Sequence, residues 1–235
     1  MKRLPFFVLI LLIVAYAGRA QNPAFSSGQT HYENAQVFRL KAGMLMSKRE
    51  WRDVIYRFSE FREGRITLRE GFSPTRSLLM NFNIYKERME FITEKGDTSA
   101  FEFSRQLKSI GIDNHVFYYE PPSGYVEKIT ETPVALGEKH LLKMMFESTN
   151  GELFAGTDWH LPTARLDRLY IKKNEYYFID QEDVLHKATM PAILKIYHFS
   201  KGEVRQFVKK NKIDFKKRED LIRLLEFCKH FDAVS

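Results

Sequence analysis

The chain has 235 residues, 44% of them hydrophobic and 14% aromatic, and its 37 Lys and Arg against 30 Asp and Glu give a formal charge of +7. That apolar content excludes a disordered chain or a coiled-coil rod and predicts a globular body with a real core. One cysteine, Cys228, excludes an internal disulfide and a thiolate zinc centre, which needs several sulfurs together.

Met1-Lys2-Arg3 is a short cationic region, Leu4 to Tyr16 is apolar, and Ala17-Gly18-Arg19-Ala20 is a small-residue patch. This is the layout of a secretory signal peptide, with Gln21 as the first mature residue. The apolar run falls short of the roughly 20 residues that span a bilayer. Residues 1–20 are therefore expected to be cleaved, leaving a periplasmic or secreted chain with no transmembrane span. No cysteine follows the run, so a lipoprotein is not expected.

Residues 21–47 are polar and aperiodic and read as an N-terminal arm or early strand. Residues 48–190 read as a β-rich body. Ile66 and Leu68 alternate with charged residues, and further strands are expected at 77–85, 89–92, 100–103, 115–119, 125–129 and 140–146. A hairpin is expected where 169–172 and 176–179 flank Lys173-Asn174-Glu175. Short strands at about ten-residue spacing, without long helices between them, predict an antiparallel sheet or roll.

Residues 191–235 change character. Ser200-Lys201-Gly202-Glu203 matches a capping box, with Val204, Phe207 and Val208 following at helical spacing. A second helix is predicted over 217–230, with Leu221, Leu224, Leu225, Cys228 and Phe231 on one face and Cys228 as a packed core thiol. The predicted class is α+β, a mainly antiparallel β-sheet or roll followed by C-terminal amphipathic helices packed on it.

A resemblance lies in Leu78-Leu79-Met80-Asn81-Phe82-Asn83-Ile84-Tyr85, Met89-Glu90-Phe91-Ile92 and Lys95-Gly96-Asp97-Thr98, and continues through Val116-Phe117-Tyr118-Tyr119, Tyr176-Tyr177-Phe178-Ile179 and Lys209 to Phe215. This series resembles small exported β-rich proteins of Bacteroidetes, a family with no established activity. The resemblance implies export and implies no catalytic residue. Phe82 departs from the pattern, where Tyr is usual.

No catalytic constellation is visible. Seven histidines form no paired ligand spacing, no Gly-x-Ser-x-Gly elbow or phosphate loop occurs, and neither a metal nor a cofactor is expected. Asp180, Glu182 and Asp183 read as a solvated acidic turn. Asp158, Trp159 and His160 would either line a sugar or peptide groove, as in a hydrolase with its site at 156–160, or plug the sheet. Asn81 and Asn83 would either bond neighbouring backbone or touch a ligand.

The charge is better placed. Cleavage would remove Lys2, Arg3 and Arg19 and leave +4, whereas the segment from Leu194 to His230 carries eleven basic residues and five acidic ones. Lys209, Lys210, Lys216, Lys217 and Arg218 are the candidate contacts to an anionic surface. The expected partner is an envelope protein or an anionic envelope component. Nucleic acid is not expected, since no aromatic stacking motif accompanies the cations. The functional expectation is a non-catalytic exported protein that binds or scaffolds.

Overall fold

A computed structural model of the chain describes residues 25–27, 35–69, 77–101, 106–131, 133–148, 151–155 and 166–231. The fold is α+β: the described residues form one antiparallel sheet and four α-helices, three of them after residue 189. The strands are β1 (Phe25–Ser27), β2 (Gln36–Leu40), β3 (Arg62–Leu68), β4 (Leu78–Asn83), β5 (Arg88–Ile92), β6 (Thr98–Ala100), β7 (Leu107–Ile112), β8 (His115–Glu120), β9 (Gly124–Lys128), β10 (Ala135–Glu147), β11 (Leu153–Ala155), β12 (Asp167–Ile179) and β13 (Leu185–Lys187). They follow the order β1-β2-β12-β10-β9-β8-β7-β3-β4-β5-β6, with β11 on β10 and β13 on β12.

Two thirteen-residue strands form the centre. β10 and β12 pair without interruption from Ala135 opposite Ile179 to Glu147 opposite Asp167. The expected hairpin at Lys173-Asn174-Glu175 is therefore absent: those residues are the middle of β12. The triplet has no glycine to supply the positive φ of a short hairpin loop, and each of its members has a ladder partner in β10. Gly137 sits where β9, β10 and β12 crowd together. A Cβ there would lie 2.6 Å from Val126 Cγ1 and 3.2 Å from Ile179 Cδ1, so only glycine lets the strands close.

Helix α1 (Lys48–Ile55) was not foreseen inside the β-rich region. Its start is a complete capping box: Ser47 Oγ accepts from the Glu50 amide at 3.2 Å, and the Ser47 amide donates to Glu50 Oε2 at 2.8 Å. Val54 and Ile55 then pack on Phe38, Leu40 and Tyr170. The box expected at Ser200 is not made, because Ser200 makes no capping bond and sits at φ −117°, ψ 28°. A 3-10 turn (His198–Ser200) already carries the chain into the next helix. The serine is thus never extended, the conformation that would aim its oxygen at the free amides.

Helices α2 (Met190–Ile196), α3 (Lys201–Lys210) and α4 (Arg218–Cys228) form the C-terminal layer. Leu221, Leu224, Leu225 and Cys228 share the buried face of α4 as their spacing predicts, and they pack with Val204, Val208, Tyr197 and Ile193 against Leu136 and Phe178 of the sheet. Burial pushes the Cys228 thiol up to about 12, so it stays neutral core packing. No described helix is long and apolar enough to cross a membrane.

Register explains how three apolar clusters meet. Side chains alternate faces along a strand, so Tyr170, Lys172, Asn174, Tyr176 and Phe178 lie on one face of β12. Leu136, Glu138, His140 and Leu142 of β10 share that face through their pairing. At one end is the helical-layer cluster, at the other the α1 cluster, and beside them the cluster of Phe58, Phe82, Phe117 and Tyr125. A polar seam occupies the ground between.

Candidate functional site

The seam is centred on Glu127, 2% exposed. Arg57 donates Nε to Oε2 at 2.8 Å and Nη2 to Oε1 at 3.2 Å. His115 Nδ1 lies 2.6 Å from Oε1, and His140 Nε2 lies 2.5 Å from Oε2. His140 Nδ1 faces Asn174 Oδ1 at 3.2 Å, Asn174 Nδ2 donates to Glu138, and Glu138 lies 3.5 Å from Arg218 Nη1. Burial alone would raise the Glu127 carboxyl. The hydrogen bonds from His140 and Arg57 and the Arg57 charge outweigh it and hold the group well below the usual carboxylate range. Beside it burial, aided by Arg57, pushes Lys172 down to about 8, while its Nζ donates to the Asp53 carbonyl at 2.7 Å.

Perturbed groups of this kind often mark active sites, but access decides otherwise here. Both oxygens of Glu127 are taken by the chain's own donors, and the carboxylate is closed to solvent. Among the described residues no group of three or more His, Cys, Asp and Glu has the geometry of a metal site. The seam reads as the polar joint between three cores.

Asn81 and Asn83 also serve the fold. Asn81 accepts from the Phe58 amide at 3.2 Å and donates to the Phe58 and Glu60 carbonyls at 2.8 and 3.1 Å, so its amide bridges the gap where β3 leaves β4. Asn83 Oδ1 accepts from the Lys86 amide at 3.0 Å and closes the turn to β5. Replacing Asn81 by Ala strands three backbone groups in a fully buried place, and we expect a loss of about 2 kcal/mol in urea unfolding. A loss below about 0.5 kcal/mol would show that the backbone finds other partners.

An open cleft of about 660 Å³ lies at the other end of β12, lined by Asp180, His186, Leu194, Lys195, His198, Lys201 and Arg205 among others. That volume is within the roughly 300–1,000 Å³ of small-ligand sites. Its fixed part is a carboxylate and an imidazole. Asp180 Oδ1 accepts from the amides of Glu182 and Val184 at 3.0 and 2.9 Å, and Oδ2 lies 2.7 Å from His186 Nε2. A carboxylate can only accept, so His186 carries its proton on Nε2 and is held in one orientation. The expected solvated acidic turn after β12 holds for the exposed Glu182 but not for Asp180, which is only 7% exposed because the turn folds around its carboxylate.

The cleft's nitrogen donors come from successive elements: Lys195 from the last turn of α2, His198 from the 3-10 turn, and Lys201 and Arg205 from α3. Four-residue spacing sets Lys201, Arg205 and Lys209 along one exposed stripe of α3, which flanks the buried Val204 and Val208. Among the described residues neither Lys195, Lys201 nor Arg205 is in an ion pair, unlike Arg57 and Arg218. Among the described residues, three basic side chains line the cleft beside one carboxylate that is already hydrogen-bonded, so its described lining carries an excess of positive charge. Such a site can hold an anion.

Of the surface contacts expected from sequence, Lys209, Lys210, Lys216 and Lys217 are exposed, and Lys209 extends the stripe of the cleft. Arg218 is exposed as well, and its Nη1 also lies 3.5 Å from Glu138 at the edge of the seam. Asp158, Trp159 and His160 lie outside the described residues. Sequence reasoning counted Lys195, Lys201 and Arg205 in the basic segment without singling them out. The signal available was the four-residue repeat of Lys201, Arg205 and Lys209, which any solvated helix face can carry. No protein-family model, curated protein or solved structure matches the chain.

Proposed function

We propose that the chain is an exported, non-catalytic binding protein that captures an anionic group, phosphate or carboxylate, in the cleft between the β12–β13 turn and helices α2 and α3. The observation that carries the reading is the convergence of Lys195, Lys201 and Arg205, free of ion pairs with described residues, on a cleft whose histidine is fixed by Asp180. Export is supported by the cationic and apolar run of residues 1–20 and by the resemblance to exported proteins. A binding role is supported by the excess of positive charge along the cleft's described lining.

Isothermal titration of the full chain with pyrophosphate at neutral pH tests the cleft. One-to-one binding is expected, weakening as salt is raised. Arg205→Ala should weaken it about tenfold or more, as expected when a charged hydrogen bond is lost, and Lys201→Glu with Arg205→Glu should abolish it. Both side chains are exposed, so stability should stay within about 0.5 kcal/mol of the parent. Absence of pyrophosphate binding, or undiminished binding in the double variant, overturns the reading.

A further inference from the structure

We propose that the cleft takes its anion from a lipid bilayer: it is a subsite for a phosphate headgroup, and Phe199 is the apolar anchor that seats the protein on an anionic membrane surface. The inference rests on the cleft being an anion site and adds the source of the anion.

Phe199 is 77% exposed, and isolated exposed apolar residues are ordinary. Its position is what matters. It occupies the single 3-10 turn between α2 and α3, directly between His198 and Lys201, both of which line the cleft. Ile196 and Tyr197, just before it, are 2% and 1% exposed. The turn is therefore pinned to the core, and Phe199 projects from a fixed base. The Phe199 ring packs against the His198 ring, with centroids 3.8 Å apart, so the exposed aromatic adjoins the lining of the cleft.

Helix α3 continues from that turn. Its apolar stripe, Val204 and Val208, is committed to the core, and its cationic stripe of Lys201, Arg205 and Lys209 faces outward. A free phosphate would need the cleft alone and would leave Phe199 and Lys209 without a role. A bilayer uses all three: headgroup phosphates for the cations, the interfacial layer for the ring, and further headgroups for the stripe. The contact is peripheral, made by side chains beside a folded sheet.

The test measures binding of the full chain to vesicles of phosphatidylcholine alone and of phosphatidylcholine with phosphatidylglycerol, the neutral vesicles giving the background of the apolar N-terminus. Binding to the anionic vesicles should exceed that background and fall with salt. Phe199→Ala should reduce the excess about tenfold, the value of removing one buried aromatic side chain, while leaving pyrophosphate affinity unchanged. Lys201→Glu with Arg205→Glu should remove both. A Phe199→Trp variant should show a blue-shifted emission component on anionic vesicles only. An unaltered excess in Phe199→Ala, or no emission shift in Phe199→Trp, overturns the anchor. Pyrophosphate binding without any excess on anionic vesicles overturns the membrane source and leaves the anion site standing; loss of both overturns the site itself.

Discussion

Replacing Glu127 by Gln is expected to lower folding stability by about 3–5 kcal/mol, the usual cost of leaving buried charges without their partner. For a chain of this size that is a fall in Tm on the order of 10 °C. The carboxylate gathers Arg57, His115 and His140 at 2.5–3.2 Å, and a neutral amide cannot accept from all of them. Acid sensitivity gives a second readout. The folded carboxyl lies below its unfolded value of about 4.3, so its stabilisation is complete above that pH and drains away as pH falls toward the folded value. Urea unfolding between neutral pH and pH 3 should show the parent losing stability faster than Glu127→Gln, so that the two curves converge in acid. His115→Gln should cost about 1 kcal/mol or less, since that side chain is 34% exposed. Parallel curves for the parent and Glu127→Gln would remove Glu127 from the account of the seam.

Phe178→Ala should cost a similar 3–5 kcal/mol, the range for emptying a buried aromatic position, with a consequence for the cleft as well. Phe178 is fully buried between the sheet and the helices, in one cluster with Leu136, Ile193, Leu224 and Leu225. It also stands opposite His186 in the short β12–β13 ladder, two residues before Asp180. The cavity left by its ring would loosen the helical layer and the pair of residues that floors the cleft together. Limited proteolysis should cut first within the region 190–231, and pyrophosphate affinity should fall although Phe178 is not among the cleft's lining residues. Phe199→Ala is the contrast, an aromatic lost from the surface with stability unchanged. Equal stability losses in the two variants would contradict this placement of the core.

Local pattern was enough for much of the fold. The α4 face of Leu221, Leu224, Leu225 and Cys228 follows from three- and four-residue steps, β3 from the alternation of Ile66 and Leu68 with charged residues, and β4, β5, β8 and β9 from short strand-like runs between turn residues. It failed where a local signature had two outcomes. The same Ser-x-x-Glu pattern caps α1 at Ser47 and does nothing at Ser200, because one serine enters from an extended segment and the other from a helical turn. Lys173-Asn174-Glu175 looked like a loop because it is polar in mid-strand, and it is polar because Asn174 faces His140 in the seam. The turn after β12 hid a buried Asp180 for a comparable reason: its partner, His186, lies six residues on.

Composition and periodicity by themselves determined an α+β class, a β-rich body, a C-terminal amphipathic helix and a positive charge concentrated in the terminal segment. These are properties of neighbours in the chain, which spacing records. Which cations join the seam and which gather at the cleft was decided by tertiary structure alone. Glu127, His140 and Asn174 meet because β9, β10 and β12 share a sheet register, Arg57 reaches Glu127 from the segment after α1, and Arg218 is drawn to Glu138 by the packing of α4 on β10. Lys195, Lys201 and Arg205, in no ion pair with a described residue, come together because two helix ends and a strand turn converge around a cleft. Such meetings depend on register and docking between distant segments, and one-dimensional periodicity does not encode them.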